Sequence, residues 1–409
     1  MKTVLQDYGV WLTLPDGEQL CVADLRLKTN QRGRHLMSGI RYRLDWLQHP
    51  ACYALNPVHV PLTSAPIEWE TEHIPAIIDE VLPGRWERAV RQRSWRGRAD
   101  IDDLHAVLAE PRGAWRVGAM EILPAGHQLP ALPSPVRLAD LRVILEEVDR
   151  TETHLSPDLD ALARMQAGSS AGGARPKVTV EDDGAWLAKF GLQGDTFDNP
   201  RVEHACLLLA KRCGLQVPES RIAPIADRAV LLVRRFDVTP NGGRLGLISA
   251  NAFLKHPRWQ HDPPHAGYED IVDILRRFSV QVEDDLKQLY AQMLFNEAIN
   301  NRDDHLKNFS FLLSPEGTRL SPAYDLVPSE AFGAYPQLDF QKSPILPPPG
   351  TQQALTAASA FSLSPSEAKR TNERLLDGLS ELEAVMDEAE LSDPDRRFLK
   401  QRLPSRLQR

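Results

Sequence analysis

Cysteine is scarce in this chain, with only Cys21, Cys52, Cys206 and Cys213 among 409 residues. None forms a Cys-x-x-Cys pair or a zinc spacing, so neither a disulfide framework nor a zinc module is expected. Cys206 and Cys213 lie seven apart in an apparent helix, where free thiols behave as small hydrophobes. No run approaches the roughly 18 apolar residues that span a bilayer. The opening stretch MKTVLQDYGVWLTLPDGEQL lacks a long apolar core, so no secretory leader and a reduced, cytoplasmic protein are expected. A basic excess is missing too: the formal net charge is −8, which argues against a general nucleic-acid binder while leaving room for a local basic patch. No internal repeat is visible. What remains, 42% hydrophobic and 25% charged residues, is ordinary for a soluble globular protein, and the length predicts two or three domains.

Short strand-like runs dominate the first part of the chain, to about residue 120. Asp16-Gly17 in LPDGEQL predicts a tight turn between strands. Residues 74–95 are helical in period around a Pro-Gly break, and carry the start of an arginine cluster: Arg85, Arg88, Arg91, Arg93, Arg96 and Arg98. A solvated helix face is the expected role of that cluster, with a surface for an acidic partner as the alternative. Residues 121–135 hold four prolines and read as a linker. A helix is expected in VRLADLRVILEEVDR, followed by the small-residue stretch AGSSAGGARPK. That stretch matches neither G-x-G-x-x-G nor G-x-x-x-x-G-K-[ST]. Strands VTV and AWLAKF flank an Asp183-Gly184 turn, and a helix is expected at about 201–213 with Gly214 as its stop. RAVLLVRRF reads as an apolar strand. Residues 282–299 have the clearest helical period, with Val282, Leu286, Leu289, Tyr290, Met293 and Leu294 on one face. FSFLL and RLSPAYD are expected as a strand pair joined by SPEGT. PILPPP is a connector, and the rest of the chain is helical from about 355, with a capping box at Ser364–Glu367.

The clearest helix runs straight into NNRDDHLKNFSF, a cluster costly to bury and wasteful to expose. Asp303 and Asn308 stand five apart between a buried helix and a strand, the D-x-x-x-x-N spacing of a phosphotransfer loop, with Arg302 before the aspartate. Phosphoryl transfer needs a carboxylate to orient the attacking hydroxyl and a neutral oxygen ligand for magnesium. Lys307 between them can neutralise charge on the transferring group. A second metal carboxylate is expected at a nearby strand end, and Asp325 in SPAYDLVP fits that order. Upstream, the small-residue loop, the strand lysine Lys189 and the helical Glu203 complete it. Each piece has a plainer reading: the loop as a linker, Lys189 as a solvent-facing strand residue, Glu203 as a helix-start acid. Asp303, Asp304 and His305 also offer a transition-metal set.

Together, SSAGGARPKV, VRRFD and NNRDDHLKNFSFLL…LSPAYDLVPS resemble the HipA family of serine/threonine protein kinases, the toxins of HipBA-type toxin–antitoxin modules. The resemblance covers nearly the whole chain and is looser at the N-terminus. It implies an α+β, bilobal protein-kinase-like fold with a small N-terminal accessory subdomain at 1–125. A kinase N-lobe with phosphate loop and hinge would occupy 126–240, and a helical C-lobe with the catalytic loop 241–409. It also implies ATP and Mg2+ as cofactors. Carried over by position, Asp303 would be the catalytic aspartate, with Lys307 beside it. Gly172, Gly173, Ala174, Arg175, Pro176 and Lys177 would form the phosphate loop, and Lys189 would meet the ATP phosphates. Arg234, Arg235 and Phe236 would be the adenine hinge, although relatives often begin it with glutamate. His305, Lys307, Asn308, Tyr324 and Asp325 would contact nucleotide or phosphate, with Asn308 and Asp325 holding magnesium. Ser170 occupies the autophosphorylation position, and its phosphate is expected to repel a bound polyphosphate and switch the kinase off. The implied partners are a HipB-like helix-turn-helix antitoxin, operator DNA through that antitoxin, and a protein substrate such as an aminoacyl-tRNA synthetase or another translation protein. No membrane partner is expected. Two other readings share parts of the pattern: a small-molecule phosphotransferase of the aminoglycoside-kinase type, and an inactive kinase fold acting as a corepressor.

Overall fold

Gly17, at a φ of +93°, turns the chain between β1 (Thr3–Thr13) and β2 (Gln19–Asn30), the conformation that favours glycine. With β3 (His35–Tyr42), β4 (Ile67–Trp69) and β5 (Met120–Pro124) these strands make a five-stranded sheet in the order β4-β3-β2-β1-β5, every pair antiparallel. Alternate residues Ala23, Leu25 and Leu27 of β2 are buried opposite Tyr42, Ile40 and Ser38 of β3. The computed structural model describes the whole chain except residues 1, 96, 98, 111–115, 130–135, 154, 159–160, 163–164, 166–174, 257–265, 331–335 and 404–409. It divides into two units: Met1–Leu192, Arg235–Pro263 and Leu312–Glu316 in the first, Gln193–Arg234, Pro264–Phe311 and Gly317–Arg409 in the second.

Two expectations for the first unit are corrected. Residues 121–124 belong to β5, not to a linker, because Glu121, Ile122 and Leu123 are buried against β1. Pro124 ends that edge strand, where a missing N–H costs no ladder bond. The arginine cluster is only in part a solvated face: Arg85 is exposed, whereas Arg91 and Arg93 turn inward to acids. On the helix Arg85–Trp95, Arg91 is only 4% exposed, held by Glu87 at 2.9 Å and Glu110 at 3.1 Å. Arg93 reaches Glu147 at 3.2 Å, and Arg88 pairs with Asp102. Acids at i−4 and on neighbouring segments make burial of these cations tolerable. Arg96 and Arg98 lie outside the described residues.

Later in the first unit, β6 (Lys177–Glu181) and β7 (Ala185–Phe190) pair antiparallel around the expected Asp183-Gly184 turn. A buried ionic cluster lies alongside. Arg235 grips Asp237 with both Nε at 3.0 Å and Nη2 at 2.5 Å, and donates to Thr179 Oγ1 and the Arg116 carbonyl. Arg116 in turn pairs with Glu121 at 2.6 Å, and the Gly118 N–H donates to Asp237 at 2.7 Å. Burial raises the Asp237 carboxyl, but the Arg235 guanidinium, the Gly118 N–H and Arg244 together outweigh it and hold the group below its ordinary range. Arg244, buried beside those cations, is pushed down to about 10.

In the second unit the helix Asn199–Arg212 starts on the Asp198 side chain, carries Pro200 in its first turn, and stops before Gly214 at a φ of +86°. β8 (Ser220–Ile225) and β9 (Arg228–Arg234) form a hairpin. The helix Val282–Ala298 is buried continuously from Gln288 to Asn296, as a central helix enclosed on all sides is. It packs with the helices Tyr268–Phe278 and Pro365–Ser380 as the core of this unit. The Ser364–Glu367 capping box forms as expected. Strand β10 (Gly246–Ser249) belongs to the first unit; β11 (Ser310–Ser314), shared between the units, and β12 (Gly317–Leu320), in the second, follow the polar loop. β12 stops at Leu320, so SPAYD is irregular and not strand: Pro322 has no N–H to continue a ladder. The four cysteines are free thiols, Cys206 and Cys213 buried. Among the described residues, no helix is long and apolar enough to cross a membrane.

Candidate active site

The polar loop begins where the long helix ends. Asn300, at a φ of +56°, turns the chain out of the helix, and Arg302 folds back onto Glu297 at 2.6 Å and the Asn300 side chain at 2.9 Å. Arg302 is therefore a local brace of the loop. Asn301 is buried and works in three directions: its Oδ1 accepts the Asp303 N–H at 3.1 Å, while its Nδ2 donates to Asn296 at 3.1 Å and the Asp325 carbonyl at 3.5 Å. These bonds tie the start of the loop to the Asp325 backbone.

The adjacent aspartates have opposite environments. Asp303 keeps 69% of its side chain exposed, with His305 Nε2 4.0 Å from its Oδ1. Partial loss of hydration pushes its carboxyl above the ordinary range; the His305 ring opposes this and the Asp325 carboxylate adds to it. Asp304 is 1% exposed and accepts the Tyr268 hydroxyl at 2.9 Å, the Gln337 N–H at 2.8 Å and the Leu338 N–H at 3.5 Å. Burial raises its carboxyl too, against the pull of those donors. With its oxygens committed to the interior, Asp304 is unsuited to the transition-metal set. Among the described residues, no group of three or more His, Cys, Asp or Glu side chains is placed to hold a metal ion.

Beyond the aspartates, Asn308 is 8% exposed, and its Nδ2 donates to the Asp303 carbonyl at 2.7 Å. That bond fixes which end of the carboxamide is which, so the oxygen is the end a hard cation would require. His305 Nδ1 is buried with no hydrogen-bond partner among the described residues. Lys307 is exposed on the turn Leu306–Asn308. Tyr324 braces that turn: its hydroxyl donates to the Lys307 carbonyl at 2.9 Å and meets Ser310 Oγ at 2.6 Å. Asp325 holds a left-handed backbone, with a φ of +56°. Asp303, His305, Lys307, Asn308, Tyr324 and Asp325 thus belong to one hydrogen-bonded and electrostatic neighbourhood of the second unit.

In the first unit, Lys177 and Lys189 are directly opposite in the β6–β7 register, so both side chains leave the same face. Lys177 is 8% exposed and Lys189 half-buried. Arg175 and Pro176 precede β6. Ser170, Gly172, Gly173 and Ala174 lie outside the described residues. At the expected hinge the Arg234 N–H donates to Glu219 and the Arg235 N–H to Ala185, so those two amides are already engaged. The Arg235 side chain belongs to the buried ionic cluster, and Phe236 follows it. Glu203 is 3% exposed on its helix.

Sequence reasoning missed Gln337, whose Nε2 donates to Asp303 Oδ1 at 2.6 Å, and the supporting roles of Tyr268 and Asn296. No local spacing could have found Gln337, 34 residues from its partner.

Three comparisons bear on this geometry. The chain is 31% identical over 189 residues to the toxin YjjJ of Escherichia coli (strain K12), covering 41% of this chain and 40% of that protein. It therefore spans under half of that relative's length. It is 37% identical over 324 residues to the putative kinase Y4mE of Sinorhizobium fredii (strain NBRC 101917 / NGR234), covering 73% of this chain and 74% of the relative. Its fold is similar to a chain of the Shewanella oneidensis MR-1 toxin–antitoxin complex of HipA, HipB and operator DNA, with a TM-score of 0.67 at 16% identity, over 98% of this chain and 95% of that one. The architecture is accordingly the expected α+β, kinase-like fold of the HipA type. A family model described as the HipA-like C-terminal domain matches residues 169–383, a span that holds the paired lysines, the expected hinge and the entire polar loop; by this match and by its likeness to Y4mE along nearly three-quarters of either sequence, the chain belongs to the HipA family.

Proposed function

We propose that this chain is an ATP-dependent serine/threonine protein kinase acting as the toxin of a type II toxin–antitoxin pair. The observation that carries the reading is the loop itself: an exposed Asp303 with a raised carboxyl, its carbonyl fixing the Asn308 amide, and Asp325 near enough to act on it electrostatically. In this reading 1–125 is the accessory subdomain, 126–240 the N-lobe and 241–409 the C-lobe.

The residues present fit a magnesium nucleotide. Asn308 supplies a neutral oxygen and Asp325 a carboxylate, the oxygen donors Mg2+ accepts. The His305 ring and the Lys177–Lys189 pair are assigned to phosphate, and Arg175 and Pro176 continue the phosphate loop proposed for 172–177. When bound, the nucleotide supplies the γ-phosphoryl group. Asp303 accepts the proton of an attacking serine hydroxyl, and a carboxyl raised toward neutral is the better base. Lys307 stabilises charge on the transferring phosphoryl group. Tyr324 keeps Lys307 in place through its carbonyl. Adenine recognition is assigned to the 234–236 segment without the Arg234 and Arg235 amides. Ser170 is the proposed autophosphorylation site, the antitoxin a HipB-like helix-turn-helix protein that carries the operator contact, and the target a protein of translation such as an aminoacyl-tRNA synthetase.

Intact and peptide mass spectrometry after incubation with Mg-ATP, beside an Asp303→Asn variant, tests the reading. Phosphate gained by the wild type at Ser170, and absent from the variant, is the expected result. If neither chain gains phosphate and none was present at the start, the autokinase reading fails.

A further inference from the structure

Asp303 and Asp304 point into different surroundings, yet both hold Gln337. The Gln337 N–H donates to Asp304 Oδ1 at 2.8 Å, and its Nε2 donates to Asp303 Oδ1 at 2.6 Å. Asp304 is itself immobilised from its other oxygen: Tyr268 donates to Oδ2 at 2.9 Å and receives Asn296 Nδ2 at 3.1 Å. A buried hydrogen-bonded chain thus runs from the long helix to the backbone of residue 337, whose side chain returns to the exposed aspartate. His305 Nε2, at 4.0 Å, faces the same Oδ1. Both neighbours lie on one oxygen, which leaves Oδ2 to face an incoming hydroxyl. An aspartate's terminal torsion is broad, so an exposed carboxylate needs an outside donor to hold one orientation.

We infer that Gln337 is a positioning residue: its carboxamide fixes the Asp303 carboxylate so that one oxygen is presented to the acceptor hydroxyl, and Asp304 exists to deliver that carboxamide. The inference rests on the kinase reading above. It separates the roles of the two adjacent carboxylates, one for the acceptor and one for the donor that aligns the first. The carboxamide is neutral, so it orients Asp303 without neutralising the charge a base requires; a lysine at 337 would do so.

The Gln337 side chain is exposed, so its replacement removes no core packing. Gln337→Ala, Gln337→Glu and Gln337→Asn are compared in the full chain with wild type and Asp303→Asn. The readouts are kcat and KM for ATP in phosphate incorporation, affinity for a fluorescent ATP analogue, and thermal midpoint. Gln337→Ala is expected to lower kcat about 10- to 100-fold, the scale of a misplaced reacting group, with KM, affinity and midpoint unchanged. Gln337→Glu keeps the shape but repels Asp303, and is expected to fall further, toward Asp303→Asn. Gln337→Asn keeps the amide on a shorter arm and is expected to recover part of the loss. Wild-type turnover in Gln337→Ala, with Asp303→Asn inactive, overturns the positioning role and leaves the kinase reading standing. Faster turnover in Gln337→Ala makes the amide a plug, and also overturns it. A midpoint falling in step with kcat across the three variants reduces Gln337 to a structural residue. A wild type without transfer removes the kinase reading and the positioning role together.

Discussion

The buried ionic cluster of the first unit and the polar loop of the second use the same kinds of side chain for different ends. In the cluster, Arg116, Glu121, Arg235 and Asp237 are all buried and grip one another, and nothing charged in that foursome faces solvent. In the loop, Asn301, Asp304 and Asn308 form a buried floor, and Asp303 and Lys307 stand exposed above it. A polar network closed on every side can only hold the chain together. One that is closed beneath and open above can hold exposed groups still, and that asymmetry, more than the density of charge, is what the proposed site has and the cluster lacks.

The comparison makes predictions that can break it. Asp303→Asn should reduce phosphoryl transfer about 10²- to 10⁴-fold, the range for a lost general base, with an unchanged unfolding midpoint. A large stability loss there would place Asp303 with the closed cluster. Asp237→Ala should do the reverse, costing about 3–5 kcal/mol by leaving Arg235 buried without its partner, read by chemical denaturation. Because the folded Asp237 carboxyl sits below its ordinary value, its contribution is present at neutral pH and is lost as pH falls through that lowered value. The Asp237→Ala chain should therefore show a flatter acid limb than wild type. Tyr268→Phe, beneath the loop, should cost about 1–3 kcal/mol, since Asp304 loses a donor in a buried site. It should also slow transfer less than Asp303→Asn does. Smallest is Ser364→Ala, which removes a helix cap worth about 1 kcal/mol and belongs to neither network; its transfer rate should equal wild type.

Legibility followed sequence distance. The helix Val282–Ala298, the Asp16-Gly17 and Asp183-Gly184 turns and the Ser364–Glu367 box were readable because each depends on residues at most a few turns apart. The D-x-x-x-x-N spacing was readable for the same reason, and its two residues do meet through the Asn308 amide. Arg91 and Arg93 were misread because their fate depends on Glu110 and Glu147, carried by other segments. β5 was misread because proline composition was weighed above burial, and an edge strand tolerates a terminal proline. Gln337 carried no signal at all. A carboxamide is unremarked anywhere on a surface until the fold brings it to a carboxylate.

Asp325 carries one more consequence, for anyone who engineers this chain. Asp325 sits in the left-handed region, which aspartate and asparagine tolerate better than other side chains but which only glycine adopts at no steric cost. A library ranked on thermal tolerance alone would therefore be drawn toward glycine at 325, discarding the carboxylate while improving the score. Pairing each stability screen with a phosphate-transfer readout would expose that drift, and the size of the gain at this one position would measure what the chain gives up in robustness to keep an acid there.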